Sequence, residues 1–202
     1  MRWLVLLAAL AALLAVPSAQ ANGDPASDVL ITQQVFLPVE APISDGARDE
    51  LTKTVAAANE RGYKIRVAVI AFTGDLGTAV SLWRHEQSYA KFLAAELAFV
   101  YRGRLLIAMP SGFGFNHGRR PVAKERRVLA GVPVGKTPTA LTESASEAVR
   151  ALAASEGVEL PAVGGGHDWR DRAIIASAGL LVLLVVVLLP GRLLRRGRGD
   201  ER

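Results

Sequence analysis

The chain has 202 residues, 24 Lys and Arg against 19 Asp and Glu, a net charge of +5 and no cysteine. The lack of cysteine excludes a thiol nucleophile, a zinc–thiolate cluster and a lipoprotein anchor, so an exported domain of this sequence must hold itself together by packing. Much of the positive excess sits near the C-terminus, and the central part is near neutral, with no nucleic-acid footprint.

Arg2 precedes an apolar run over residues 3–16, followed by Pro17, Ser18 and Ala19-Gln20-Ala21. A short basic start, an apolar stretch and a small-x-small site predict a signal peptide, residues 1–21, cleaved after Ala21. The run is shorter than the roughly 20 residues that span a bilayer. Residues 22–158 then predict one extracytoplasmic α/β domain, long enough for a real core.

Residues 28–37 read as an extended segment closed by Pro38. Ser44 is a helix N-cap, Ala47, Leu51, Val55 and Ala58 recur at helical spacing, and Gly62 ends the run. Residues 65–72 form a strand rich in β-branched side chains, continuous enough to be central. Residues 73–77 are a loop. The spacing of Tyr89, Phe92, Leu93, Leu97 and Val100 predicts a helix over 87–99. Residues 104–109 make a second buried strand, Pro110-Ser111-Gly112 turns the chain, and Phe113-Gly114-Phe115 starts a return strand with both rings on one face. Strand, helix, strand at this spacing is a βαβ crossover with parallel neighbours. Residues 127–132 suggest a further strand. A third helix fits 140–155, capped by Thr139 or Thr142.

Residues 159–172, with three consecutive glycines, form a flexible linker. Residues 173–190 are the apolar run of a transmembrane helix; its core, 180–189, holds no polar side chain. About 17 apolar residues give about 26 Å, and flanking arginines snorkel to make up the span. Arg192, Arg195, Arg196 and Arg198 follow, which places the basic tail, 191–202, in the cytoplasm. A cleaved signal peptide demands the same orientation. The expected localisation is a cell membrane, single-pass, with the N-terminal domain outside.

Motifs with chemical meaning are few. Ala130-Gly131-Val132-Pro133-Val134-Gly135-Lys136-Thr137 loosely matches a phosphate-binding loop. Alanine stands at its first position, Pro133 removes a backbone donor, and too little chain follows for a nucleotide-binding core. It reads as a turn before the third helix, and no nucleotide partner is expected. His85, His117 and His167 lack the spacing of a metal face. Ser111 lacks the Gly-x-Ser-x-Gly frame of a nucleophile elbow. Asp75 follows the carboxyl end of the first parallel strand, the edge that ligands favour in α/β sheets, with Arg84 and His85 nearby. These three residues are the candidate catalytic set if the domain is an enzyme.

Over about 36–115 the chain resembles the TPM-domain family of membrane-anchored proteins. The likeness rests on Ile43-Ser44 opening a helix with Leu51, the strand over 64–72, the helix carrying Tyr89-Ala90, the strand over 105–109, and Gly112-Phe113-Gly114. The resemblance implies a small α/β sandwich outside the membrane and a role around membrane protein complexes. It also implies weak phosphatase activity or divalent-ion binding in some members. Arg102-Gly103-Arg104 stands where the family has an Asp-Asn-Gly turn, and Asn116 and His117 stand where it has an acidic residue. Those activities are therefore not carried over.

The expected function is a membrane-tethered, non-catalytic interaction module, with the membrane and another membrane or cell-envelope protein as partners. The alternative is a weak metal-assisted phosphatase or hydrolase using Asp75 with Arg84 or His85. No cofactor or metal ligand set is expected; a divalent cation belongs only to the alternative. Small-ligand sensing lacks support, because the tail is too short for a signalling domain.

Overall fold

The computed structural model describes residues 23–161. The expected signal peptide, transmembrane helix and tail, His167, and the linker beyond Pro161 lie outside the described residues.

Helix α1 spans Pro25–Thr32. Strand β1 is the short pair Val35–Phe36, and helix α2 spans Asp45–Glu60. Strand β2 (Ile65–Val69) leads into a 3-10 segment, Thr73–Leu82, with a kink at Gly77. Helix α3 (Glu86–Glu96) ends in a 3-10 turn, Leu97–Phe99. Strands β3 (Arg104–Met109) and β4 (Gly112–His117) form a hairpin. Helices α4 (Ala123–Ala130) and α5 (Pro138–Ala154) complete the domain.

The sheet order is β1-β2-β3-β4, the first three parallel and β4 antiparallel to β3. Side chains of the two central strands are buried on both faces. Val67, Val69, Leu106 and Ala108 pack with α2, α4 and α5. Ala68, Ile70, Leu105, Ile107 and Met109 pack with α1, the 3-10 segment and α3. The result is three layers, helices on both sides of a mixed sheet, as the α/β reading with its βαβ unit required.

Several local expectations hold. Ser44 caps α2 by accepting the Ala47 N–H at 3.3 Å, and Gly62, at φ +85°, follows its end. Phe113 and Phe115 share the α2/α5 side of the sheet. Three assignments are corrected. Residues 28–37 are not one extended segment: Asp24 accepts from the Ala26 N–H, Pro25 occupies the first turn, and Ala26 and Leu30 bury one side of a helix. The Asp-Pro start signal outweighs the β-branched run behind it. Residues 127–132 are no strand, because 123–130 is helical and buries Glu125 and Leu129, four apart. Thr137, not Thr139 or Thr142, caps α5, with Pro138 in its first turn. Thr139 instead links α5 to the loop before α2, accepting the Ser44 N–H and donating to the Pro42 carbonyl.

Two contacts fix α3. Gly114 lies where a Cβ would overlap the Glu86 carbonyl, with the Gln87 amide nitrogen 2.9 Å away. The Gln87 side chain then pairs with the outer edge of β4, donating to the Phe115 carbonyl at 2.9 Å and accepting its N–H at 3.3 Å. An otherwise open edge is thereby closed. On the α1 side, the buried Tyr89 hydroxyl donates to both Asp24 carboxylate oxygens, at 2.7 and 2.9 Å. Burial raises the Asp24 carboxyl from 3.8 to about 6, against these hydrogen bonds.

Gly114→Ala should cost about 2–3 kcal/mol in denaturant unfolding, because the overlapping atoms are backbone and α3 itself must shift. Gly46→Ala, with nothing within 4 Å, should be neutral or slightly stabilising. Equal effects from the two would show that the strand tolerates the added methyl.

Asp24 binds a proton more tightly folded than unfolded. Its contribution to stability is complete below about pH 4 and lost as pH rises through about 6. Asn keeps the cap and the tyrosine partner without the charge. Asp24→Asn should therefore melt higher than the parent at about pH 7.5, and their difference should shrink toward about pH 4. A variant that melts lower at neutral pH would show that the ionised carboxylate is worth its burial.

Candidate functional site

Asp75 lies in the first turn of the 3-10 segment, half-buried. Its Oδ2 accepts the backbone N–H groups of Ala71 at 2.8 Å and Phe72 at 2.7 Å. These are donors left over where β2 ends, so the carboxylate closes the strand terminus. Burial raises its pKa, and the two N–H bonds act against that rise. Arg84 and His85 occupy the exposed turn before α3, Arg84 with a left-handed φ of +63°. Among the described residues, no ion pair joins either one to Asp75. The three candidates share one end of the domain in sequence but have separate attachments. Ser111 is exposed in the β3–β4 turn. Among the described residues, no cluster of three His, Asp or Glu could hold a metal ion.

The segment resembling a phosphate loop is a clamped turn. Gly135 donates its N–H to Ser144 Oγ at 2.9 Å, and a Cβ there would overlap the Ala140 backbone. Lys136 Nζ donates to the Pro110 carbonyl at 2.6 Å. The lysine is spent on tying α5 to the β3–β4 turn.

A cavity of about 780 Å³ opens at the opposite edge of the sheet, where β3 begins and β4 ends. Its walls come from three places. The last two turns of α3 supply Lys91 and a strip of alanines, the α3–β3 loop supplies Tyr101 and Arg102, and the end of β4 supplies Asn116, His117, Arg119 and Arg120. Gly114 lets the start of α3 lie against β4. Two residues on, Asn116 carries a side chain on that same face, and helix and strand diverge there. The cavity is the space left by that divergence.

Its electrostatics are one-signed. Lys91, Arg102, Arg119 and Arg120 line it, no carboxylate does, and none of the four is in an ion pair among the described residues. Arg102 is held at the rim by its Nε, which donates to the Ala98 carbonyl at 2.7 Å. Nearby carboxylates are engaged or buried: Glu156 is paired with Arg104, and Glu125 is buried behind β4. Asn116 Oδ1 is buried without a hydrogen-bond partner. Burial, then Arg104 and Arg120, lower the His117 pKa below the ordinary 6.5. A concave site lined by four cations, none in an ion pair among the described residues, suits an anion.

Sequence reading missed this site because the domain's charge averages to near zero. The available signal was local: Arg119, Arg120, Lys124, Arg126 and Arg127 stand within nine positions beside the single acid Glu125.

No family model matches the chain, and no curated protein or solved structure matches it.

His117 should titrate below 6.5 in an NMR pH series. Arg120→Gln should raise its midpoint, and so should phosphate bound in the cavity, since each adds relative negative potential at the ring. A midpoint indifferent to both would place His117 outside the field of the cavity.

Proposed function

We propose that this chain is a membrane-tethered, extracytoplasmic binding module, non-catalytic, that captures anionic groups in the cavity between α3 and β4. The observation that carries this reading is the cavity's lining of Lys91, Arg102, Arg119 and Arg120 without a carboxylate. Asp75, the natural catalytic candidate, supports it from the other side, since both of its hydrogen bonds go to backbone at the end of β2. The tether rests on the sequence: a cleavable leader over 1–21, an apolar run over 173–190 and the arginines behind it. A divergent relation to the TPM-domain family belongs to the same reading. Its support is the parallel β2–β3 pair joined through α3 and followed by the antiparallel Gly-Phe-Gly strand. Partners among membrane or envelope proteins would then be those presenting anionic groups to this end of the domain.

The detergent-solubilised full chain should bind inositol hexakisphosphate saturably, with affinity falling as salt rises. Arg119→Ser with Arg120→Ser should weaken binding about tenfold or more, about 1.4 kcal/mol or greater. Hydrolysis of p-nitrophenyl phosphate should stay at background with or without Mg²⁺ or Ca²⁺. Turnover that disappears in Asp75→Asn, while the fold persists, would overturn the non-catalytic reading in favour of the hydrolase.

A further inference from the structure

We infer that the cationic end of the domain docks on the bilayer that tethers it, with the cavity taking the phosphate of an anionic phospholipid headgroup. The inference deepens the binding role proposed above and rests on its membrane anchor.

Three observations converge on one edge. Helix α5 ends there. Glu156, two residues past α5, is paired with Arg104, and Ser155 offers its carbonyl to Lys124 Nζ at 2.7 Å. Arg104 is in register with His117, which lines the cavity. The end of α5 and the cavity are therefore neighbours across one strand pair, and the described chain runs on to Pro161 with Val158 and Leu160 packed on the α2/α5 core. Twelve positions separate Pro161 from Ala173, the first residue of the apolar run. They reach at most about 40 Å, which keeps the domain beside the membrane and lets its cationic end meet the headgroups.

The chemistry of that edge fits a headgroup layer. Lys91, Arg102, Arg119 and Arg120 supply the charge complement to phosphate. Basic side chains within about a Debye length of an anionic surface are drawn to it. Asn116 lines the cavity beside them. A soluble anion would need no more than this.

The third observation favours lipid over a soluble anion. Phe99 is 77% exposed and Val100 44% exposed, in the loop whose neighbours Ala98, Tyr101 and Arg102 line the cavity. An exposed aromatic and an exposed aliphatic beside arginines form the pattern of a surface that enters the interfacial region, apolar tips inward and cations at the phosphates. Helix α3 anchors that loop, and Tyr101 fixes it further by donating to the Arg104 carbonyl at 2.8 Å and lying under Arg66.

Because the chain has no cysteine, a single cysteine at position 99 can carry a polarity-sensitive fluorophore uniquely. Full-length Phe99→Cys, labelled with NBD, is placed in phosphatidylcholine nanodiscs with or without about 30 mol% phosphatidylglycerol. Docking predicts a blue shift and a several-fold intensity gain only with phosphatidylglycerol, and quenching by a spin label on the lipid chain. High salt should reverse the shift, and Arg119→Glu with Arg120→Glu should abolish it. Lys53→Glu with Arg84→Glu, both exposed and outside the cavity lining, changes the net charge by the same amount and should leave the shift intact. Incorporation with no lipid-dependent shift, while inositol hexakisphosphate still binds, would overturn docking and leave soluble-anion capture standing. Failure of the full chain to enter nanodiscs at all would overturn the anchor itself, and docking with it.

Discussion

Burial of β2 and β3 on both faces is the constraint from which the rest of the domain follows. A strand that alternates apolar side chains to either side of the sheet cannot face water on either one. Val67 and Leu106 need one helical layer; Ala68, Leu105 and Ile107 need another. Two parallel neighbours also require a crossover, and the 3-10 segment with α3 supplies it while covering the second face. The first face is covered by α2 and α5, which meet through Leu51, Val55 and Ala58 against Leu141, Ala145, Ala148 and Leu152. Small residues at that seam let the two helices come close enough to bury the ion pair of Arg150 with Glu50 at their margin.

The edge strand β4 converts this packing into a site. A side chain at position 114 would push α3 off the sheet, so the bare backbone there sets the helix approach. The approach is tight at Glu86 and Gln87 and loose by Lys91, and the wedge between is where arginines from β4 and from the α3–β3 loop gather. Cations concentrated there repel one another, and none is relieved by a carboxylate in the lining. That repulsion is tolerable because Lys91, Arg102, Arg119 and Arg120 are exposed, where water screens them. A folded state needing only stability would have no use for such an arrangement; a binding face would.

Much of the fold was legible because its strongest signals are local. The β-branched run from Ile65, the apolar run from Leu105, and Ser44 and Gly62 around a helical stripe each name their element without reference to the rest of the chain. The misreadings have physical causes of the same kind. Val29-Leu30-Ile31 looks like a strand until Asp24 and Pro25 are weighed as a start signal, and Val128, Leu129 and Val132 do so until Glu125 is allowed to be buried. The cavity was not legible, since its lining is assembled from α3, a loop and the end of β4, and no single segment presents it. The choice of Asp75 rested on a sound rule about strand carboxyl ends, but the rule locates an edge and does not say what a carboxylate there is bonded to.

That edge has been given over to structure. Asp75 stitches the end of β2, Lys136 ties α5 to the β3–β4 turn, and the chain enters past Gly77, where a Cβ would overlap the Gly23 carbonyl. Every polar group named there is answered by backbone. At the amino edge the balance is different: Arg104 and Glu156 neutralise each other, and among the described residues none of the four cations lining the cavity has a carboxylate partner. Helix α5, starting beside Pro42 at the carboxyl edge, ends at the amino edge, the edge that the C-terminal tether proposed above would turn toward its anchor. On the proposed tether, the direction of this one helix sets which edge of the sheet is turned toward the membrane, and it is the edge whose cavity lining holds no carboxylate.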